Sequence, residues 1–330
     1  MAKYRIGIDL GGTKLAVGIV DQDWRIVAET VSHDHTCCDE EGILDRMARN
    51  IDDALGKIGA TRSEAAGVGV LFPGHVRWPE GITLTTSNLP CLKGYPLREA
   101  LQRRLGMPVI VDNDANAQAL AEHRFGAGRG TRNMVFLTVS TGVGGGIIIN
   151  GEIYRGATGT AGEFGHMIVA AGSDAMCTCG NRGCLMALAS GIAMRQAAAR
   201  NAAVLEARGQ TSDLPASCPD IDDLDGERLR NGILEDNQLC RSIAEEFGTY
   251  IGIGIYNIFQ ILNPELIVIG GGLLNLPDLF LETARKVFRE KARDMMHDEL
   301  EIRNSELGSQ AGMLGAAAIL RSVEDSLGKA

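Results

Sequence analysis

The chain has no surplus of positive charge: 32 Lys plus Arg stand against 42 Asp plus Glu, a formal net charge of −10 at pH 7. A nucleic-acid surface and a polybasic membrane anchor both need a locally positive field, so this balance argues against either partner. Long apolar runs are missing as well. The opening MAKYRIGIDL sets charges at Lys3, Arg5 and Asp9 with no apolar run between them, which reads as a protein without a signal peptide that stays in the cytoplasm. The most apolar stretch, 250–274, is broken by Asn257, Gln260, Asn263, Pro264 and Glu265. A spanning helix wants about 20 predominantly apolar residues, so no membrane segment is expected. Eight cysteines without an export signal point to metal ligands or buried thiols rather than to a disulfide framework.

What the chain does have is glycine, 42 residues in 330, nearly double the usual frequency of about 7%. Such numbers imply tight turns and close backbone approaches. A chain of this length divides into about two domains of roughly 150 residues. Apolar, β-branched runs predict strands over 4–9, 15–21, 25–31, 67–72 and 109–112, and 3.6-residue periodicity predicts helices over 41–58, 97–105 and 115–125. This is a β-rich opening followed by βαβ alternation, hence an α/β protein. Strands then recur at 134–140 and 145–150 around the turn Thr141-Gly142-Val143-Gly144, repeating the plan of 9–20. A weak internal duplication is the simplest account. Leu239, Ile243, Phe247, Tyr250, Gly254, Ile258 and Ile261 form a helical stripe despite the strand-like IGIGI inside it. A strand at 266–269 ends on a triple glycine, and helices at 277–295 and 311–323 follow. The acidic stretch 206–236, with Asp213, Asp220, Asp222, Asp223, Asp225 and Glu227, admits a carboxylate metal site but reads better as a solvated connection between helices.

The turn after the first strand, DLGGTK, has neither the spacing of a Walker A loop nor that of GxGxxG, and a strand follows it. Its backbone N–H groups can cradle phosphate oxygens because no Cβ blocks the approach, and Asp9 at the strand end could hold a Mg2+ that balances them. A plain hairpin is the competing reading. Asp112, Asn113 and Asp114 precede an apolar helix, so on the residues alone Asp114 reads as a helix cap. Three thiols follow the pattern Cys177-x-Cys179-x4-Cys184. His33, His35, His75, His123 and His297 are scattered, with the His33/His35 pair read as a loop.

Six segments in order, DLGGTKLAVGIVD at 9–21, VDNDANA at 111–117, STGVGGG at 140–146, GEFGH at 162–166, CTCGNRGC at 177–184 and IGGGL at 269–273, resemble the ROK sugar kinases nearly end to end. Bacterial ATP-dependent glucokinases are the members it resembles most. The resemblance implies an actin-like, ribonuclease H-like ATPase fold of two lobes with a cleft between them. In that arrangement 1–114 form the small lobe, rejoined by a C-terminal helix at 311–330, and 115–310 form the large lobe with a zinc-binding loop. It further implies transfer of the γ-phosphoryl of ATP to O6 of a hexose, glucose first, with Asp114 as the base that accepts the hydroxyl proton. Gly74, Asn88, Asn113, Glu163 and His166 correspond to sugar ligands. Gly11, Gly12, Thr13, Lys14, Thr141 and Gly142 correspond to the nucleotide site, with Gly271 and Gly272 near the adenosine and Asp9 near Mg2+. His166 with Cys177, Cys179 and Cys184 makes the four-ligand set of a closed, structural Zn2+ site.

One departure stands out. The family usually has Leu-Glu after the last of these cysteines, and its Glu contacts the sugar; here the pair is Leu185-Met186. Met186 either fills the pocket wall or shifts the choice among glucose, N-acetylmannosamine, N-acetylglucosamine, mannose, fructose and allose. Two other function classes compete. The family's transcriptional repressors carry a winged helix-turn-helix ahead of this body, for which a DLGGTK turn starting at residue 9 leaves no room. An actin-like scaffold without a small-molecule acceptor has no use for GEFGH and the cysteine loop. A homodimer is the expected assembly, and a phosphoryl donor other than ATP stays open.

Overall fold

The computed structural model describes residues 2–33, 39–86, 89–293 and 300–327. It is an α/β protein whose chain divides into two compact units: Met1–Arg132 with Gly146–Gly162 and Glu306–Ala330, and Asn133–Gly145 with Glu163–Ser305.

The first unit opens with strands β1 (Tyr4–Leu10), β2 (Leu15–Val20) and β3 (Ile26–Ser32), then helix α1 (Glu40–Gly56) and strand β4 (Ala65–Phe72). A short hairpin, β5 (His75–Arg77) and β6 (Ile82–Thr85), precedes helix α2 (Leu97–Leu105), strand β7 (Val109–Asn113) and helix α3 (Asp114–Phe125). The sheet order is β3-β2-β1-β4-β7, antiparallel through β3, β2 and β1, and parallel from β1 to β7. β2 is apolar throughout and buried at all six positions, whereas the edge strand β3 alternates half-buried and exposed residues. Asp39 starts α1 by accepting the Gly42 N–H at 2.8 Å, and Ile43, Leu44, Met47, Ile51 and Leu55 turn one stripe to the core.

The second unit opens with β8 (Met134–Val139); β9 (Val143–Ile149) begins in this unit and ends in the first, to which β10 (Glu152–Ile153) also belongs. Helices α4 (Leu185–Leu188), α5 (Met194–Ala207), α6 (Gly226–Leu234) and α7 (Gln238–Leu262) lead to β11 (Leu266–Gly270), α8 (Leu279–Lys291) and β12 (Glu301–Asn304). The strand order is β10-β9-β8-β11-β12, with β9/β10 antiparallel and β8-β11-β12 parallel. The order and the direction of these pairs repeat those of the first sheet, which is what the weak duplication in sequence anticipates. α7 is one continuous helix, so the apolar stripe prevails over the local IGIGI pattern.

The closing helix α9 (Ala311–Leu327) belongs to the first unit. It lies so close on β1 and β4 that a Cβ on Gly7 would fall 2.0 Å from the Met313 carbonyl oxygen, and one on Gly69 would fall 1.7 Å from that of Ala316. α3 packs along α9 through Gly315, where a Cβ would fall 2.2 Å from the Ala117 carbonyl oxygen. The boundary drawn from sequence at residue 114 therefore falls inside the first unit. The segment 206–236 is more than a solvated connection, since it contains α6, capped by Asp225, whose side chain accepts the Arg228 N–H at 2.8 Å. Among the described residues no helix is long and apolar enough to cross a membrane.

Candidate functional site

In the first unit, the register of the parallel strands brings the carboxyl ends of β1, β4 and β7 level with one another. Asp9 pairs with Leu71, Leu71 with Asp112 and Phe72 with Asn113. Asn113, rather than Asp114, caps α3: its Oδ1 accepts the N–H of Ala115 at 2.9 Å and of Asn116 at 3.3 Å. Its Nδ2 donates to the Gly74 carbonyl at 3.1 Å, so the residues expected at the sugar from β7 and from the β4–β5 turn are physically joined. Asp114 is the first residue of α3, and its Oδ1 accepts the Ala115 N–H at 2.9 Å. With the capping done by its neighbour, Asp114 is not needed as a cap. Asn88 lies outside the described residues.

Between β1 and β2 the turn Gly11-Gly12-Thr13-Lys14 closes with the Gly11 N–H donating to the Lys14 carbonyl at 2.8 Å. His33 braces this turn. Its Nδ1 stands 3.0 Å from the Thr13 carbonyl, which can only accept, so Nδ1 carries the proton. His35, the other half of the pair noted in sequence, lies outside the described residues. Burial pushes the Asp9 carboxyl above its ordinary range, and Lys14 pulls it part of the way back. Asp9 Oδ2 occupies the space a side chain at Gly312 would need, 2.5 Å from a Cβ there.

In the second unit, the glycine turn after β8 and the triple glycine after β11 come together. Gly271 has φ +96, and a Cβ on it would fall 2.3 Å from the Val139 carbonyl oxygen, so this approach requires glycine. The Ser140 N–H bonds the Gly142 carbonyl at 2.8 Å, and the 190–192 loop braces the turn through Gly191 N–H to Ser140 and Ile192 N–H to Thr141. Beside them opens a cavity of about 790 Å³ lined by Ser140, Thr141, Gly272, Asp225, Glu227 and Arg230, among others. The last three belong to the start of α6, and sequence reasoning missed them. The available signal was a capping Asp three residues before Arg228 inside the acidic stretch.

The GEFGH segment is seated on the start of β9. Phe164 fills the space over Gly145, and a Cβ on Gly165 would fall 2.1 Å from the Val143 carbonyl oxygen. Glu163 precedes the single turn Phe164–His166, and the His166 N–H returns to the Glu163 carbonyl at 3.0 Å. His166, Cys177, Cys179 and Cys184 converge, their ligand atoms all within 4.8 Å of one another. Cys177 Sγ is 3.5 Å from His166 Nδ1, and Cys179 Sγ is 3.8 Å from Cys184 Sγ. Four-coordinate zinc with bonds of about 2.3 Å to sulfur and about 2.0 Å to nitrogen requires S–S and S–N edges of about 3.8 and about 3.5 Å, so these two pairs fit such an ion. Burial and the neighbouring thiols push Cys184 up to about 12, while a backbone N–H from Asn181 lowers Cys179. A buried thiol crowded by others needs a cation to ionise.

The ROK family pattern matches residues 5–323. The chain belongs to the ROK family. It is 31% identical to a glucokinase of Halalkalibacterium halodurans over 99% of this chain and 98% of that protein. A ROK family glucokinase from Streptomyces griseus, solved in complex with glucose and AMPPNP, superposes with a TM-score of 0.79 at 31% identity, covering 96% of this chain and 99% of that one. A xylose repressor of Caldicellulosiruptor bescii is 32% identical over 96% of this chain and 78% of its own length. The fold is therefore the actin-like ATPase fold of ROK sugar kinases.

Proposed function

We propose that this ROK protein phosphorylates a hexose at O6 with ATP, glucose being the first candidate. The observation that carries the reading is the arrangement at the end of β7: Asn113 caps α3 and reaches Gly74, and Asp114 follows at the first helical position. A sugar presents hydroxyls as donor and acceptor pairs, which the Asn113 amide and the Glu163 carboxylate can meet. Asp114 takes the proton of the 6-hydroxyl as that oxygen bonds to the γ-phosphorus, and the bond to the β-phosphate oxygen breaks to release ADP.

Ser140, Thr141, Gly142 and the 271–272 glycines present backbone to the phosphates, and the adjacent cavity takes the adenosine, with the start of α6 as one wall. The Gly11-Gly12-Thr13-Lys14 turn adds its N–H groups and the Lys14 charge. A Mg2+ near Asp9 would neutralise charge on the β- and γ-oxygens. Zn2+ on His166 Nδ1 and the three cysteines would lock the loop, leaving His166 Nε2 for the sugar. The same reading places the protein in the cytoplasm as a homodimer, with neither nucleic acid nor membrane as partner.

A coupled ADP-release assay over a sugar panel, with ATP and polyphosphate as alternative donors, tests it. Turnover should rise sharply with a hexose and follow O6 availability, disappearing with a 6-deoxy sugar. The family's repressors supply the second reading, and sequence-specific DNA binding without hexose-stimulated turnover would decide for it. The charge of −10 weighs against that outcome.

A further inference from the structure

Behind Asn113 and Asp114, inside the first unit, lies a buried ion pair that the reaction itself does not use. Asp112 is 2% exposed. Its Oδ1 accepts the Asn113 N–H at 2.8 Å and the Asn116 amide at 3.1 Å. Its Oδ2 accepts Arg155 Nε at 2.8 Å and lies 2.8 Å from Arg155 Nη2. The Arg155 guanidinium carbon in turn lies over the Trp78 ring, 3.8 Å from its centroid. Trp78 follows strand β5 of the hairpin that begins beyond Gly74. Four residues past Arg155, Gly159 packs on the same hairpin so tightly that a Cβ would fall 2.6 Å from the Val76 carbonyl oxygen.

Arg155 therefore ties together the end of β7, the hairpin beyond Gly74 and the segment running toward Glu163. A buried ion pair is weak evidence for stability, since apolar replacements of similar volume often do as well. What the pair supplies is direction: a planar fork held on one carboxylate oxygen and over an aromatic ring admits few orientations.

The geometry points to Arg155 as a positioning residue for hexose phosphorylation, acting through Asp112 and Trp78 to fix Asn113 and Asp114 relative to Gly74. This inference rests on the hexose-kinase reading above. Because misplacement of reacting groups by about 1 Å can cost about 100-fold, its loss should be visible in rate.

The test uses the full-length protein and the hexose giving the fastest turnover. Arg155→Met keeps an apolar stem over Trp78 but removes the charge. It should lower kcat/KM for the hexose about 30- to 100-fold while KM for ATP stays within about twofold. Arg155→Lys should recover only part of the loss, because an ammonium is neither forked nor planar. Arg155→Met also strands a buried carboxylate, so its Tm should fall. The double variant Asp112→Asn/Arg155→Met removes that charge, and its Tm should return to near the wild-type value with kcat/KM still at least 10-fold down.

If activity in the double variant returns along with Tm to within about threefold of wild type, the pair is merely structural and this inference fails alone. Wild-type protein without hexose-stimulated turnover overturns the kinase reading, and this one with it. Should Arg155→Met not fold, the double variant and Arg155→Lys decide between the same two outcomes.

Discussion

The two sheets share a strand order, yet the two units hold their candidate chemistry by different means. In the first, Asp9 and Asn113 stand near the ends of β1 and β7, the two strands that flank β4, and Asp114 opens α3, with Asn113 and Asp114 fixed by hydrogen bonds from the α3 backbone. In the second, the glycine turns offer backbone rather than side chains, and Glu163 and His166 ride on a loop fastened by thiols and an imidazole. The difference teaches where damage should appear. Removing a side chain from the first unit should stop chemistry and spare the fold, whereas loosening the second should weaken binding through disorder of a loop.

The strongest way to break that contrast is Asp114→Asn. The variant keeps size and hydrogen-bonding capacity but cannot accept the hydroxyl proton, so hexose-dependent kcat should fall about 1000-fold. Its Tm should stay near the wild-type value, because Asn113 remains to cap α3. Retention of near-normal kcat would remove the base from the scheme.

Next in size comes the metal. Elemental analysis of the purified protein should give close to one zinc per chain, and Cys179→Ser or a strong chelator should abolish it. Hexose kcat/KM should then fall about 10- to 100-fold. Proteolysis should begin near the 172–183 loop, with the first unit unaffected. A metal-free protein with unchanged sugar kinetics would show that the loop needs no fastening.

Legibility in sequence followed the same divide. Long periodic elements could be read: the strand at 4–9, the helix at 41–58 and the stripe through 239–261 are β1, α1 and α7 within a few residues. Elements without periodicity could not. β12 is four residues of which three are exposed, the β5–β6 hairpin is shorter than a strand signal, and α6 hides among carboxylates. At the site, the glycine turns and the cysteine spacing were visible because few residue types can do those jobs. Arg155 gave no local sign at all, since its partner Asp112 is 43 positions away and only the folded sheet brings them together. Asp225 and Glu227 read as part of a solvated acidic stretch, because a helix start looks like solvated acid until something packs beside it, and Arg230 carries no signal of its own.

A smaller effect should sharpen the comparison at Met186. Its Sδ lies 3.0 Å from where a Cβ on Gly142 would sit, and α4, which carries it, directly follows Cys184. A second unit that tunes binding rather than chemistry should respond to Met186→Glu with KM values among glucose, mannose and N-acetylated sugars shifting about 5- to 10-fold, and kcat within about threefold. An unchanged KM profile would reduce Met186 to pocket filling.

The smallest effect concerns the first unit's own cost. Burial raises the Asp9 pKa above the ordinary value, with Lys14 opposing. A carboxyl whose folded-state pKa exceeds its unfolded one destabilises the fold whenever it is ionised. That cost is fully present above the folded-state pKa and fades as pH falls through it toward the ordinary value of about 3.9. Asp9→Asn should therefore raise the Tm of the ligand-free protein by about 2 °C at pH 7, and the gain should vanish near pH 4. Adding Mg2+ and ATP should reverse the order, since only the wild type offers the cation a charged ligand. Differential scanning calorimetry across that pH range, with and without nucleotide, reads both signs. A lower Tm for the variant at pH 7 without ligand would mean that the carboxylate is held for the fold and not for the cation.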